Sequence, residues 1–229
     1  MISTLGIFST PIWTTRPPRS DISHVIGSFC NVTDVQSTNH HVPHVSIDEE
    51  YILTEEETLQ CMRMGAERNQ KNVEKKTQNR NFSSRDDEDI SIQGVVGELA
   101  FARLFKLPIE IFDTTCRNAM NDTFDATLPF GKRCDVKCTY ISNAPIIVST
   151  WKRTNPPELY ALVIMDNYAD RRKINIDRLP KIRFKGFVRS CDIFQDCNLR
   201  TMKNGYQHYH WEQSKLLCYP DVLEKNPNG

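Results

Sequence analysis

The segment "TFDATLPFGKRCDVKCTY", residues 123–140, holds the reading on which the fold turns. At its centre is a turn. Pro129 suits the second position of a type I turn, and Gly131 follows as a left-handed residue, making a three-residue hairpin loop. Leu128 then opposes Lys132, and counting outward Asp125 opposes Asp135. In "CDVKC", residues 134–138, side chains alternate between faces. Cys134, Val136 and Cys138 form a core face, while Asp135 and Lys137 share the other.

Directly opposed residues project to one face with Cβ atoms ~5 Å apart. Asp125 and Asp135 would repel there, and the pairing makes sense if a cation lies between them. Carboxylate oxygens are the ligands that Mg²⁺, Mn²⁺ and Ca²⁺ prefer. Lys137, one step along the same face, could orient a water or stabilise charge on a phosphate oxygen. The competing reading is a solvated outer face of a hairpin.

A third acid comes from "ISIQGVVGELAFARLFKLP", residues 90–108, the best helix in the chain, which Pro108 stops. The helical neighbours of Glu98 are Gly94, Val95, Phe101 and Ala102, all small or apolar. A glutamate on that face is expected to be buried without a cation from its own helix, and buried charge needs a partner. A metal shared with Asp125 and Asp135 would supply one. The alternative is that Glu98 reaches water at the edge of the stripe. Gly94 and Gly97 read either as a close approach of this helix to a sheet or as a frayed first turn.

Further out, "TEEETLQCMRMGAERNQKNVEKK" opens on a capping box, Thr54 with Glu57, and reads as a surface helix with apolar Leu59, Met62 and Ala66. Residues 77–89 read as a polar loop. "PIIVSTWK", "KIRFKGFVRS" and "GYQHYHW" read as strands. "ELYALVIMD" is a continuous apolar run of strand length, expected as a central strand buried on both faces. The expected fold is α/β or α+β: a mixed central sheet flanked by helices, spanning residues 47–229. Residues 1–46, rich in Ser, Thr, Pro and His, read as an extended or partly disordered arm.

Composition bounds the function. The chain has 229 residues, 39% hydrophobic and 25% charged, which is ordinary for a soluble globular protein. No apolar run approaches the ~20 residues of a membrane span, and the N-terminus lacks the pattern of a secretory signal. An intracellular location and no membrane partner are expected. The eight cysteines form no Cys-x-x-Cys pair, which favours reduced, buried thiols over a zinc site. The formal net charge is zero, which counts against tight non-specific nucleic-acid binding but not against an enzyme with an acidic centre and basic flanks.

Lys132, Arg133, Lys152 and Arg153 lie near the acids in sequence and are candidates to grip a phosphate backbone. Further basic clusters at Lys71, Lys75, Lys76 and Arg80, at Arg171, Arg172 and Lys173, and at Lys181, Arg183 and Lys185 read as solvated faces. His208 and His210 share a strand face, read as a polar edge rather than a metal pair. Tyr206, Tyr209 and Trp211 read as core packing rather than base stacking.

A helical Glu in "GVVGELAFARLF", an Asp in "FDAT" and the "DVK" strand together resemble the PD-(D/E)XK nuclease superfamily, in particular small nuclease-like proteins of phages and large DNA viruses. The resemblance covers about Ile47 to Leu217. It implies Mg²⁺-dependent, or Mn²⁺-dependent, cleavage of DNA phosphodiester bonds. Glu98, Asp125 and Asp135 would be metal ligands, the Val136 carbonyl a further one, and Lys137 the catalytic lysine. Phe124 stands where the family name has proline, and no Gln-x-x-x-Tyr element follows the lysine, so endonuclease against exonuclease stays open. DNA is the expected partner, with RNA and a homodimer both left open. The alternative class is a non-catalytic protein on the same scaffold that binds nucleic acid or a protein.

Overall fold

The computed structural model describes residues 45–74, 86–108, 124–168, 173–218 and 221–222. The sequence expectations for the arm up to residue 44, most of the 77–89 loop, and Lys75, Lys76, Arg80, Arg171 and Arg172 lie outside these. Strand β1 is Glu50–Ile52, helix α1 Glu55–Glu74 and helix α2 Asp87–Leu104. Strands β2 (Ala126–Thr127) and β3 (Arg133–Thr139) form the hairpin. β4 is Ile146–Ser149, β5 Leu159–Met165 and β6 Lys181–Arg189. The short helix α3 is Ser190–Ile193, followed by β7 (Leu199–Thr201) and β8 (Gln207–Trp211).

The fold is mixed α+β. A five-stranded sheet has the order β1-β6-β5-β3-β2. Only the β3/β5 pair is parallel, so the sheet is mixed, as expected. β5 lies at its middle and every residue of it is buried. One face carries α1 and α2, over a core that includes Leu159, Ala161 and Val163 of β5 and the Phe101, Phe105, Phe184 and Phe187 rings. The other face departs from the expectation of flanking helices. A second, three-stranded sheet, β4-β8-β7, covers it together with α3. Ile146, Val148 and Tyr209 pack there on Tyr160, Leu162 and Val188. Strand alternation looks alike whichever sheet a strand joins, so the split is invisible locally. "TWK" also leaves the expected strand: residues 150–154 form a 3₁₀ turn.

Both helices carry the chemistry that starts and stops them. Thr54 Oγ1 accepts from Glu57 N–H at 3.1 Å while Glu57 accepts from Thr54 N–H at 3.0 Å, closing the capping box. Glu57 also accepts from Tyr51 and Arg103, tying β1, α1 and α2. Asp86 caps α2, four residues upstream of where the apolar pattern begins. α2 ends before Pro108, in a Schellman turn: Leu107 N–H donates to Ala102 and Lys106 N–H to Arg103, with Lys106 at φ 51°.

Of the apolar residues noted on α1, Met62 is partly buried against the core. Thr58, Cys61, Met64 and Gly65 are buried, while Leu59 is exposed. Small residues win because the helices nearly touch: a Cβ on Gly65 would lie 2.5 Å from Ile92 Cα. Gly97 meets the sheet just as tightly, its Cβ position 2.5 Å from Cys138 Cβ. The helix-to-sheet approach expected of the two α2 glycines therefore holds at Gly97, whereas Gly94 faces Arg68 and Glu98.

Candidate active site

The hairpin register is the one the turn dictates. Leu128 N–H donates to the Lys132 carbonyl, Gly131 lies at φ 74°, and Ala126 pairs with Cys134. The ladder ends one residue further out, at Asp125. Its N–H donates to the Cys134 carbonyl, and its Oδ2 accepts from Val136 N–H at 2.7 Å. The side chain thus replaces the next rung, and among the described residues no strand pairs with this edge of β3 beyond it. The N–H and C=O of a strand residue point to the same side, so the Val136 carbonyl faces that edge too.

Strand alternation places Cys134, Val136 and Cys138 against the helical core, as expected. Asp135 and Lys137 project to the opposite face beside Tyr160 and Leu162, their neighbours on β5. They form an ion pair with each other. Lys152, from the 3₁₀ turn after β4, puts its Nζ 2.7 Å from Asp135 Oδ2. Asp135 is therefore held by two ammonium groups at almost no solvent exposure. Burial works against its ionisation, but Lys137 and then Lys152 outweigh that and hold its carboxyl below the usual carboxylate range.

Glu98 is buried, as the helical pattern implied, and its partner is Arg68 on α1. The guanidinium donates to both carboxylate oxygens, at 2.7 and 2.9 Å. Arg68 thus supplies the partner that the sequence reading sought from a metal. Gly94 lies beside the pair, its Cβ position an ordinary contact distance of 3.6 Å from Arg68 Nη1. Arg68 went unnoticed in the sequence, although Thr58, Cys61, Gly65 and Arg68 follow a 3-4-3 spacing that puts them on one face.

Asp125 senses all of these charges. Burial first, then the Glu98 and Asp135 carboxylates, push its pKa up to about 8, against the opposing pull of Lys137. It therefore holds its proton more tightly than an ordinary aspartic acid does. Lys137 responds oppositely. Burial resists its charge, but Asp135 and then Asp125 raise its pKa above the ordinary lysine value, so it stays an ammonium. Glu98, Asp125, Asp135 and Lys137 therefore interact as one electrostatic unit at the open edge of β3.

The remaining basic candidates separate. Lys152 belongs inside the site, at 12% side-chain exposure. Arg153 donates to the Tyr209 hydroxyl at 2.9 Å and approaches Asp196. Arg133 is held by Glu158 and the Pro156 carbonyl, and Lys132 is half-buried beside it. His208 and His210 lie on β8, the middle strand of its sheet and not an edge, with rings 6.4 Å apart. Tyr209 packs in the core, as expected, while Tyr206 stacks on His208. The six described cysteines are all free.

Among the described residues no three His, Cys, Asp or Glu side chains are placed to hold a metal ion. The donor types nevertheless suit a hard divalent cation: carboxylates and a carbonyl at one edge, with the pKa of one acid raised by burial and by its neighbours. Such an ion would be held by Asp125, Asp135 and the Val136 carbonyl, with Lys152 giving up its oxygen. Glu98 would join only by releasing Arg68.

A sequence profile matches residues 43–217, a span that takes in every described strand and all four residues of the unit. The chain belongs to DUF5843, a family of unknown function. No curated protein matches it, and no solved structure does. No helix among the described residues of this DUF5843 member is long and apolar enough to cross a membrane.

Proposed function

We propose that this DUF5843 protein is a metal-dependent nuclease of the PD-(D/E)XK type, an endonuclease that hydrolyses DNA phosphodiester bonds. The observation that carries the reading is Asp125. Its carboxyl ends the hairpin at an open strand edge, pushed up to about 8 by burial and two further carboxylates. Packing alone gives no reason to gather acids there, whereas a divalent cation does. When bound, the ion would supply a Lewis acid that activates a water and polarises the phosphate. Asp125, on losing its proton, and the ionised Asp135 would hold the ion. Lys137, a permanent ammonium, serves as a cation for charge building on phosphate oxygen and not as a base. The test is cleavage of plasmid, linear duplex, branched DNA, single-stranded DNA and RNA with Mg²⁺ or Mn²⁺. EDTA and Lys137→Ala should both abolish it. Folded protein that cuts none of these would sink the reading.

One observation favours a second reading, a non-catalytic nucleic-acid- or protein-binding scaffold. Asp135 and Glu98 are already neutralised by Lys137, Lys152 and Arg68. Isothermal titration with Mg²⁺ and Mn²⁺ separates the two, since a scaffold of that kind takes up neither ion.

A further inference from the structure

A cavity of about 370 Å³ opens beside Lys137. Lys137 and Thr139 of β3, Ile141 and Asn143 of the following loop, Ile147 of β4 and Leu162 of β5 line it. Thr139 and Lys137 alternate onto the face that carries Asp135, so the cavity continues from the acids along one side of β3. Its chemistry changes in that direction. Lys137 is the one charged side chain among its described lining residues, and the others are apolar or neutral. Ile141 and Ile147 stand 45% and 41% exposed. Gln213 fixes the loop by donating to the Ser142 and Ala144 carbonyls at 3.1 and 3.3 Å. The hollow is therefore built into the fold. A larger cavity of about 660 Å³ shares Asn143 and Pro145 but touches none of the four residues of the charged unit.

A phosphate backbone is gripped by cations, and this cavity has none beyond its mouth. Apolar walls with neutral hydrogen-bonding groups suit a planar heterocycle, which stacks by its π-face and is read at its edge. The volume of about 370 Å³ falls in the range of small-ligand sites. A base inside a duplex is stacked and paired, so only an unpaired one can enter.

We propose that this cavity receives an unpaired nucleobase next to the phosphate held at Lys137, so that the substrate is single-stranded or locally unpaired nucleic acid. The proposal rests on the nuclease reading. It is tested on one sequence presented as a single strand, as a duplex with one bulged nucleotide and as a full duplex, cut in Mg²⁺. Binding of 2-aminopurine-labelled single strand is followed by fluorescence in Ca²⁺ alongside. Ile147→Trp and Asn143→Trp fill the cavity from two walls, at exposed positions that leave the core untouched. The expected result is at least tenfold faster cutting of the single strand and the bulge than of the full duplex. Both variants should lose most of that advantage and of the fluorescence change, with unaltered thermal unfolding. Equal cutting of all three forms, untouched by either variant, would overturn the cavity's role and leave the nuclease reading standing. If nothing is cut, the nuclease reading fails. The labelled strand then decides: binding that both variants abolish supports the cavity, and no binding overturns it.

Discussion

Lys152 places its ammonium 2.7 Å from one oxygen of Asp135, while Lys137 takes the other. Two cations from different elements thus converge on one buried carboxylate. Replacing Lys152 by Met leaves Asp135 with a single counter-ion, and should cost about 1–3 kcal/mol in urea unfolding at pH 7. The depressed Asp135 pKa contributes stability above the usual carboxylate range, which is lost as pH falls through its folded value. The gap between wild type and Lys152→Met should therefore shrink on acidification. A gap that stays constant down to pH 2 would show that the ammonium acts by packing alone.

Arg68 and Glu98 form a two-pronged pair between the helices, with Glu98 at 7% exposure. Arg68→Met strands a buried carboxylate and should cost about 3 kcal/mol. Changing Glu98→Met as well should recover much of that, because neither desolvated charge remains. A double-mutant cycle in guanidinium measures the coupling.

Asp125 titrates the other way. Its folded pKa of about 8 lies above the ordinary carboxylate value, so the folded chain holds a proton the unfolded chain has released. Its contribution to stability is full below the ordinary carboxylate range and declines until pH passes about 8. A cation that replaces this proton should raise the melting temperature more at pH 8 than at pH 6. Melting curves with and without 10 mM Mg²⁺, a concentration on the order of a weak-site dissociation constant, test this. Asp125→Asn should abolish the pH dependence of the shift.

The same change, Gly→Ala, should have two different costs in this chain. At Gly65 the new methyl would meet Ile92 backbone at 2.5 Å, so the helices must separate, at about 1–3 kcal/mol or more. At Gly131 nothing lies within 4 Å, and only the left-handed backbone resists, at about 1–2 kcal/mol. Relief by a second substitution distinguishes them. Ile92→Ala should partly rescue Gly65→Ala, and no neighbour should rescue Gly131→Ala.

What the sequence disclosed, it disclosed where physics is local. The turn at Pro129 and Gly131 fixes a register within a few residues, so the meeting of Asp125 and Asp135 at one hairpin end could be counted out. The unbroken apolarity of β5 announced a strand covered on both sides. Apolarity is a poor guide to the buried face of α1, because helix contact this close selects small residues and leaves Leu59 exposed. Arg68 lies thirty positions from Glu98, and Lys152 sits in a turn where no period operates. β4 finds its partner in β8 some sixty residues on, and pairing at that distance leaves no mark on either segment.

β5 gives Leu159, Ala161, Val163 and Met165 to one core, and Tyr160 and Leu162 to the other. Neither layer can come apart without exposing a side of the same strand. The helices and the small sheet are thereby bound into one cooperative unit, and the backbone amides of β5 should exchange with solvent only through global opening. The charged edge of β3 hangs on that strand along six paired positions. Its geometry is as durable as the most protected part of the molecule.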